Sequence, residues 1–266
     1  MNTPLIPPIP SRQLFGLDIM AVNFKQAVEL LTQAGNAHDR GRVVVTPNVD
    51  HIVRLDHRPE LKEQYLHADF VFADGMPVIW ASRLLGKPLP ERVTGADLFV
   101  AMCRQAIAGQ WRVALIGGRP GTEAELSARF QTYFPGLDIE IIAPSMRFDP
   151  TGDEGQRIAA RMRETAPNLI FVCLGLPKQE LWSLHHAPTL SGGVLMCVGA
   201  AMEFAIGLQS RAPLWVQRIG MEWLWRLCSN PRHLWRRYLV DDPYFLKLCW
   251  REWRHGADKK NTGKKP

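Results

Sequence analysis

The chain has 266 residues, of which 46% are hydrophobic and 22% charged, values that exclude disorder for most of its length. Its net charge of +6 is unevenly placed. From Gln209 onward there are 13 Lys and Arg against 5 Asp and Glu, with six of the nine Trp, whereas the first 208 residues hold 19 basic and 21 acidic groups. Five Cys with no C-x-x-C spacing point to buried thiols in a reducing compartment, not to disulfides or zinc. The opening segment has neither a basic n-region nor a continuous apolar stretch, so no signal peptide is expected. The longest apolar run, Val194 to Leu208, contains Glu203 and is too short to span a bilayer.

Taken in chain order, strand-like and helix-like segments alternate. Apolar, β-branched runs at Arg42–Val45, Phe70–Phe72, Arg112–Ile116, Ile139–Ile142, Leu169–Cys173 and Val194–Val198 read as strands. Helical periodicity fills Asn23–Gln33, Pro59–His67, Pro77–Leu85, Gly95–Ala108, Thr122–Tyr133, Glu154–Glu164 and Lys178–His185. Short, nearly continuous apolar strands each followed by a helix predict a mostly parallel sheet covered on both faces. The loops 86–92 and 144–152 offer the best seam between subdomains. The predicted division is an α/β catalytic body over 1–208, a basic aromatic helical appendage over 209–255, and a disordered Lys-rich end over 256–266.

In open α/β sheets ligands bind where turns leave the carboxyl ends of the strands. Thr46-Pro47-Asn48 follows the first strand of this set, Ala73-Asp74-Gly75 the second, and Gly117-Gly118 the third. Leu174-Gly175-Leu176-Pro177-Lys178-Gln179-Glu180 and Gly199-Ala200 follow the last two. Asp74 reads either as a cap for the next helix or as a general base. Thr46 and Asn48 read as turn chemistry or as polar groups aimed at the same edge. Gly117-Gly118 is a tight turn or a backbone cradle for phosphate ahead of a helix N-terminus, but neither G-x-G-x-x-G nor a Walker loop. Lys178 is by default a solvated surface charge, and Gln179 and Glu180 helix caps. Thr94 and Asp97 fit a capping box, which leaves Arg92 on its loop as a clamp for phosphate or carboxylate. No His pair has metal spacing and no D-x-D motif occurs, so neither a metal nor a cofactor is expected.

The C-terminal segment has helical periodicity. Leu246, Trp250 and Trp253 share one face, and Lys247, Arg251 and Arg254 the next. Pro213–Cys228 suits a helix packed on the body. Arg232–Arg254 suits an interfacial amphipathic helix, drawn to anionic lipid and anchored by aromatics.

Together these segments resemble the WecG/TagA/CpsF glycosyltransferases. The resemblance rests on Thr46-Pro47-Asn48-Val49-Asp50-His51, Ala73-Asp74-Gly75, Glu91-Arg92-Val93-Thr94-Gly95-Ala96-Asp97, Leu174 to Glu180 and Val198-Gly199-Ala200-Ala201. In the tail it continues through Arg211-Ala212-Pro213, Glu222-Trp223 and Arg232-His233-Leu234-Trp235-Arg236-Arg237-Tyr238. It runs from about Phe15 to Tyr238, with one departure: Glu203 stands where the family commonly shows Asp.

The resemblance implies a Rossmann-like body and a metal-independent, inverting transfer of a sugar from a UDP-sugar to a polyprenyl-diphosphate-linked saccharide. The donors it implies are UDP-N-acetylmannosamine, its uronic acid, or UDP-glucose. Asp74 carries over as the base, and Thr46, Asn48, Arg92 and Gln179 as substrate-positioning groups. With no metal, the leaving diphosphate needs other charge. Gly117 and Gly118 could supply backbone donors, with Lys178 and Glu203 beside the donor site. Arg211 and Arg218 are the first arginines to consider, and Arg226, Arg232 and Arg237 the next. The tail is then expected to dock on the anionic inner face of the plasma membrane, making the protein cytoplasmic and peripheral. Two alternatives stand beside this reading: a nucleic-acid-binding module using the basic Trp-rich tail, and a nucleotide-dependent oxidoreductase suggested by fold alone.

Overall fold

The structure is a computed structural model that describes residues 9–262. It opens with an antiparallel hairpin, β1 (Ser11–Leu14) and β2 (Leu17–Met20), paired through Leu14 and Leu17. The sequence reading missed this hairpin. Its turn is Phe15-Gly16, both at positive φ, which is the two-residue geometry that suits strand twist. After α1 (Phe24–Gly35) come β3 (Arg42–Val45), α2 (Val49–His57), α3 (Pro59–Tyr65) and β4 (Phe70–Val71). Then follow α4 (Met76–Leu84), α5 (Gly95–Ala108), β5 (Arg112–Gly117), α6 (Glu123–Tyr133), β6 (Asp138–Ile142) and α7 (Asp153–Thr165). The body closes with β7 (Leu169–Cys173), α8 (Lys178–His186), β8 (Val194–Cys197) and α9 (Ala201–Ala205).

The six longer-range strands form one parallel sheet in the order β4-β3-β8-β7-β5-β6. Successive residues of a strand point to opposite faces, and here both faces are buried. Val43, Val45, Ala114, Ile116, Ile170, Val172 and Leu195 join one apolar core. Val44, Val113, Leu115, Phe171, Val194 and Met196 join the other. Leu89 and Phe148, in the two loops offered as a seam, are both buried in the first core. Asn23 caps α1 in a reciprocal box with Gln26, and Thr94 caps α5 by accepting from the Asp97 N–H at 3.1 Å.

Beyond Gly207 the chain forms α10 (Leu214–Arg218), α11 (Glu222–Ser229), α12 (Pro231–Arg236), a π-helical turn (Arg237–Asp241) and α13 (Tyr244–Thr262). Phe245 and Leu248 of α13 are buried in the first core. The Tyr244 hydroxyl donates to Asp56 of α2 at 3.1 Å, and Arg251 pairs with the same carboxylate. Leu246, Trp250 and Trp253 remain exposed, as their shared face predicts. Among the described residues no helix is long and apolar enough to cross a membrane.

Candidate active site

A cavity of about 660 Å³ lies where the carboxyl ends of β3, β4, β8 and β7 meet the C-terminal helices. At this edge of a parallel sheet every strand gives way to a turn, so polar groups from distant sequence positions converge. The body contributes Thr46, Asn48, Asp74, Arg92, Thr94 and Gln179 to the wall. The tail contributes Arg211, Glu222, Trp223, Arg226, Arg237 and Tyr238.

Asp74 is held by backbone on both sides. Its N–H donates to the Pro47 carbonyl at 3.0 Å, locking the turn after β4 beside the turn after β3. It does not cap α4, whose N-cap is Gly75 at φ +104 with no side-chain bond. Its Oδ2 instead accepts from the Gly95 N–H at 3.4 Å, at the start of α5. Burial raises the carboxyl to about 6, against the pull of Arg92. Such a group is ionised at neutral pH yet more basic than a free aspartate, which suits removal of a hydroxyl proton. Beside it the Thr46 side chain is buried. A Cβ on Gly95 would come within 2.9 Å of Thr46 Oγ1, so glycine lets α5 start against that hydroxyl.

Two arginines from opposite walls share one carboxylate. Arg92 lies 3.2 Å from Glu222 Oε2, and Arg211 3.3 Å from Glu222 Oε1. Arg211 also donates to Asp97 Oδ1 at 2.5 Å, while Asp97 accepts the Thr94 hydroxyl at 2.6 Å. The capping pair of α5 thus also anchors a tail arginine. Arg226 lies over the Phe204 ring, 5.7 Å from its centroid.

A second polar group faces the same cavity. Asn48 caps α2 by accepting from the His51 N–H at 3.2 Å, so α2 brings Asp50, His51 and Arg54 to the strand end. Arg237 donates to Asn48 at 3.4 Å and lies 3.7 Å from Asp50 and 4.0 Å from Asp242. His51 Nδ1, Arg237 Nε and Asp242 Oδ1 are buried with no hydrogen-bond partner. Burial lowers the His51 imidazole to about 4 and raises the Asp242 carboxyl to about 6. The sequence reading did not single out Asp50, His51, Arg54, Glu222 or Asp242 as site residues. Reading Asn48 as an N-cap would have started a helix at Val49 and exposed the first three of these.

Gln179 lines the cavity, but its bonds are to the chain itself. Its Oε1 accepts from Gly175 N–H at 3.1 Å and Gly199 N–H at 3.0 Å, stapling the turns after β7 and β8. Its Nε2 donates to Glu180 Oε1 at 2.8 Å. Glu180 is fully buried, its other oxygen has no partner, and burial raises its carboxyl to about 7. Gln179, backed by Glu180, thus braces the turns after β7 and β8, and neither caps its helix.

Gly117, Gly118, Lys178, Glu203, Arg218 and Arg232 do not line this cavity. β7 and β8 stand between β5 and β3, which carries the Gly117-Gly118 turn away from Asp74. That turn packs tightly: a Cβ on Gly117 would meet the Cys173 carbonyl oxygen at 2.8 Å. Lys178 stands near Asp149 and Glu203 binds the Gln209 amide. Arg218 and Arg232 are exposed. Among the described residues no three His, Cys, Asp or Glu gather as metal ligands.

A family model described as the Glycosyl transferase WecG/TagA/CpsF family matches residues 12–259. The chain is also similar to an N-acetylglucosaminyldiphosphoundecaprenol N-acetyl-beta-D-mannosaminyltransferase of Bacillus spizizenii, with 29% identity over 254 residues, 96% of this chain and 95% of the relative. The match takes in both the strand-end turns and the helices that close over them. The chain belongs to the WecG/TagA/CpsF family and is a glycosyltransferase.

Proposed function

We propose that the protein transfers a hexose or N-acetylhexosamine, with inversion and without a metal, from a UDP-sugar to a polyprenyl-diphosphate-linked saccharide in bacterial surface or exopolysaccharide synthesis. The observation that carries this reading is Asp74, a carboxylate raised to about 6 in a cavity it shares with arginines from both walls. An acceptor hydroxyl oxygen attacks the anomeric carbon and forms the new glycosidic bond as the bond to the UDP oxygen breaks. Asp74 takes the hydroxyl proton, and the electron pair leaves with UDP. Charge then grows on the leaving diphosphate, where Arg54, Arg92, Arg211, Arg226 and Arg237 are the cations that line the cavity. The relative's name favours UDP-N-acetylmannosamine as donor and an N-acetylglucosaminyl diphosphate lipid as acceptor. Its uronic acid and UDP-glucose are the other donors to test.

The exposed basic and aromatic residues of the tail support docking on the anionic inner leaflet, where such an acceptor resides. A panel of UDP-sugars with a short-chain lipid-diphosphate saccharide tests the reaction directly. The Asp74→Asn variant is expected to keep its UDP affinity and lose about a thousandfold in kcat. A near-wild-type rate would remove Asp74 as the base.

A further inference from the structure

Helix α4 starts at the Asp74-Gly75 turn, and its first residues, Met76 and Pro77, line the cavity. Met76, Trp80 and Leu84 follow one another at one-turn intervals, so they form a stripe running away from the cavity for about 12 Å. Most of that stripe is uncovered: Trp80 is 44% exposed and Leu84 77%. These are body residues, outside the basic tail, and the transfer chemistry leaves them without a task.

The tail frames the stripe. Gly220, at φ +77, presses its backbone on α4: a Cβ there would meet both Met76 Cβ and Trp80 Cζ2 at 2.8 Å. Only glycine fits this approach, and it seats the Trp80 ring beside the cavity mouth. On the other side Leu246 of α13 lines the cavity and is 72% exposed. At the far end Lys87, just beyond α4, pairs with Glu252 of α13 at 2.7 Å. This ion pair ties the segment after α4 to α13, and apolar groups lie at the cavity and along α4.

We infer that this strip is a binding trough for the isoprenoid chain of the acceptor, entered from the cavity between Met76 and Leu246 and continuing over Trp80 to Leu84. The inference rests on the proposed lipid-diphosphate acceptor and names how its chain is held. A chain attached to a diphosphate inside the cavity has to leave past apolar lining, and Met76, which starts the stripe, and the exposed Leu246 belong to that lining. Continuity with the cavity distinguishes the strip from a face that only rests on a bilayer, which would need no connection to the reacting groups. The exposed side chains of the strip, Trp80 and Leu84, are apolar, as an isoprenoid requires, with Arg83 beside them on α4 and the Lys87–Glu252 pair at the far end.

The test is made in buffer free of detergent and vesicles, with saccharide diphosphates carrying either a farnesyl or an ethyl group. Wild-type protein is expected to show a lower KM for the farnesyl acceptor. The double variant Trp80→Ser/Leu84→Ser, altered only at exposed positions outside the cavity, is expected to raise that KM about tenfold. Its KM for the UDP-sugar and for the ethyl acceptor should stay at the wild-type values. A farnesyl KM unchanged in the variant, with sedimentation on anionic phosphatidylglycerol vesicles reduced, would make the strip a bilayer contact and overturn the trough. Equal KM values for the two acceptors in wild type would overturn it as well. Absence of transfer to either acceptor by wild type would instead overturn the glycosyl-transfer reading on which the trough rests.

Discussion

The two walls of the cavity are built by different means. On the body side the groups sit on backbone already fixed by the parallel ladder. Asp74 hangs between the Pro47 carbonyl and the Gly95 N–H, and Gln179 is spent on holding two glycine turns at 3.1 and 3.0 Å. On the tail side the groups are long side chains held by ion pairs: Arg211 by Asp97 and Glu222, Arg237 by Asp50 and Asp242. Ion pairs can exchange one anion for another, whereas a strand-end turn moves only if the sheet does. The body wall therefore suits a base that must be placed accurately. The tail wall suits charges that pass from a protein carboxylate to a substrate phosphate.

Removing residues 209–266 gives the largest expected effect on this division. Transfer should vanish, because the five cavity arginines divide as Arg54 and Arg92 in the body and Arg211, Arg226 and Arg237 in the tail. Loss of Phe245 and Leu248 from the core should also lower the melting temperature. Full transfer by the shortened chain would break the comparison outright. Next in size, Arg211→Ala should cost about a hundredfold in kcat/KM, the scale of one lost charge-stabilising donor. A loss no greater than that of an exposed control, Arg218→Ala, would leave Arg211 as a brace for α5 alone.

The pH profile sharpens the body side. Asp74 must be ionised to act, and burial puts its carboxyl at about 6. Wild-type kcat/KM should therefore fall about tenfold per pH unit below 6 and level off above it. A profile flat down to pH 5 would mean that another group takes the proton. The smallest effect concerns Glu180, which folding holds at about 7 against an ordinary 4.5. The folded state then binds more protons than the unfolded one between these values, so stability falls as pH rises through that window. Glu180→Gln keeps an oxygen for the Gln179 amide and removes this loss. Its melting temperature should gain on wild type from pH 4.5 to 7 and hold a constant margin above, with activity changed no more than a few-fold. A margin independent of pH would place the buried charge elsewhere.

Much of the body is legible in the sequence because its signals are local. Val-rich runs such as Arg42–Val45 are buried on both faces, and a strand flanked by helices has no other way to satisfy them. The cap at Thr94 starts α5 at the residue that the capping pattern indicates. Site residues at strand ends are legible for the same reason, since a turn after a parallel strand has only one edge to face. Asp74, Thr46 and Asn48 follow from that rule.

What local pattern does not carry is which strands are neighbours. Gly117-Gly118 satisfies the strand-end rule as well as Asp74 does, yet β7 and β8 intervene between its strand and β3. Similarly, spacing marks Arg211 and Arg218 as equal candidates, but one meets Asp97 and Glu222 while the other faces solvent. By itself the sequence determined the α/β alternation, the polar turns and the split between a near-neutral body and a basic, Trp-rich tail. Tertiary structure alone decided the order of the strands, the arginines gathered around Asp74, and the exposure of Trp80 and Leu84 on α4. The reason is physical: capping and hydrophobic periodicity act over a few residues, whereas a cavity wall is a meeting of groups that only the packed sheet brings together.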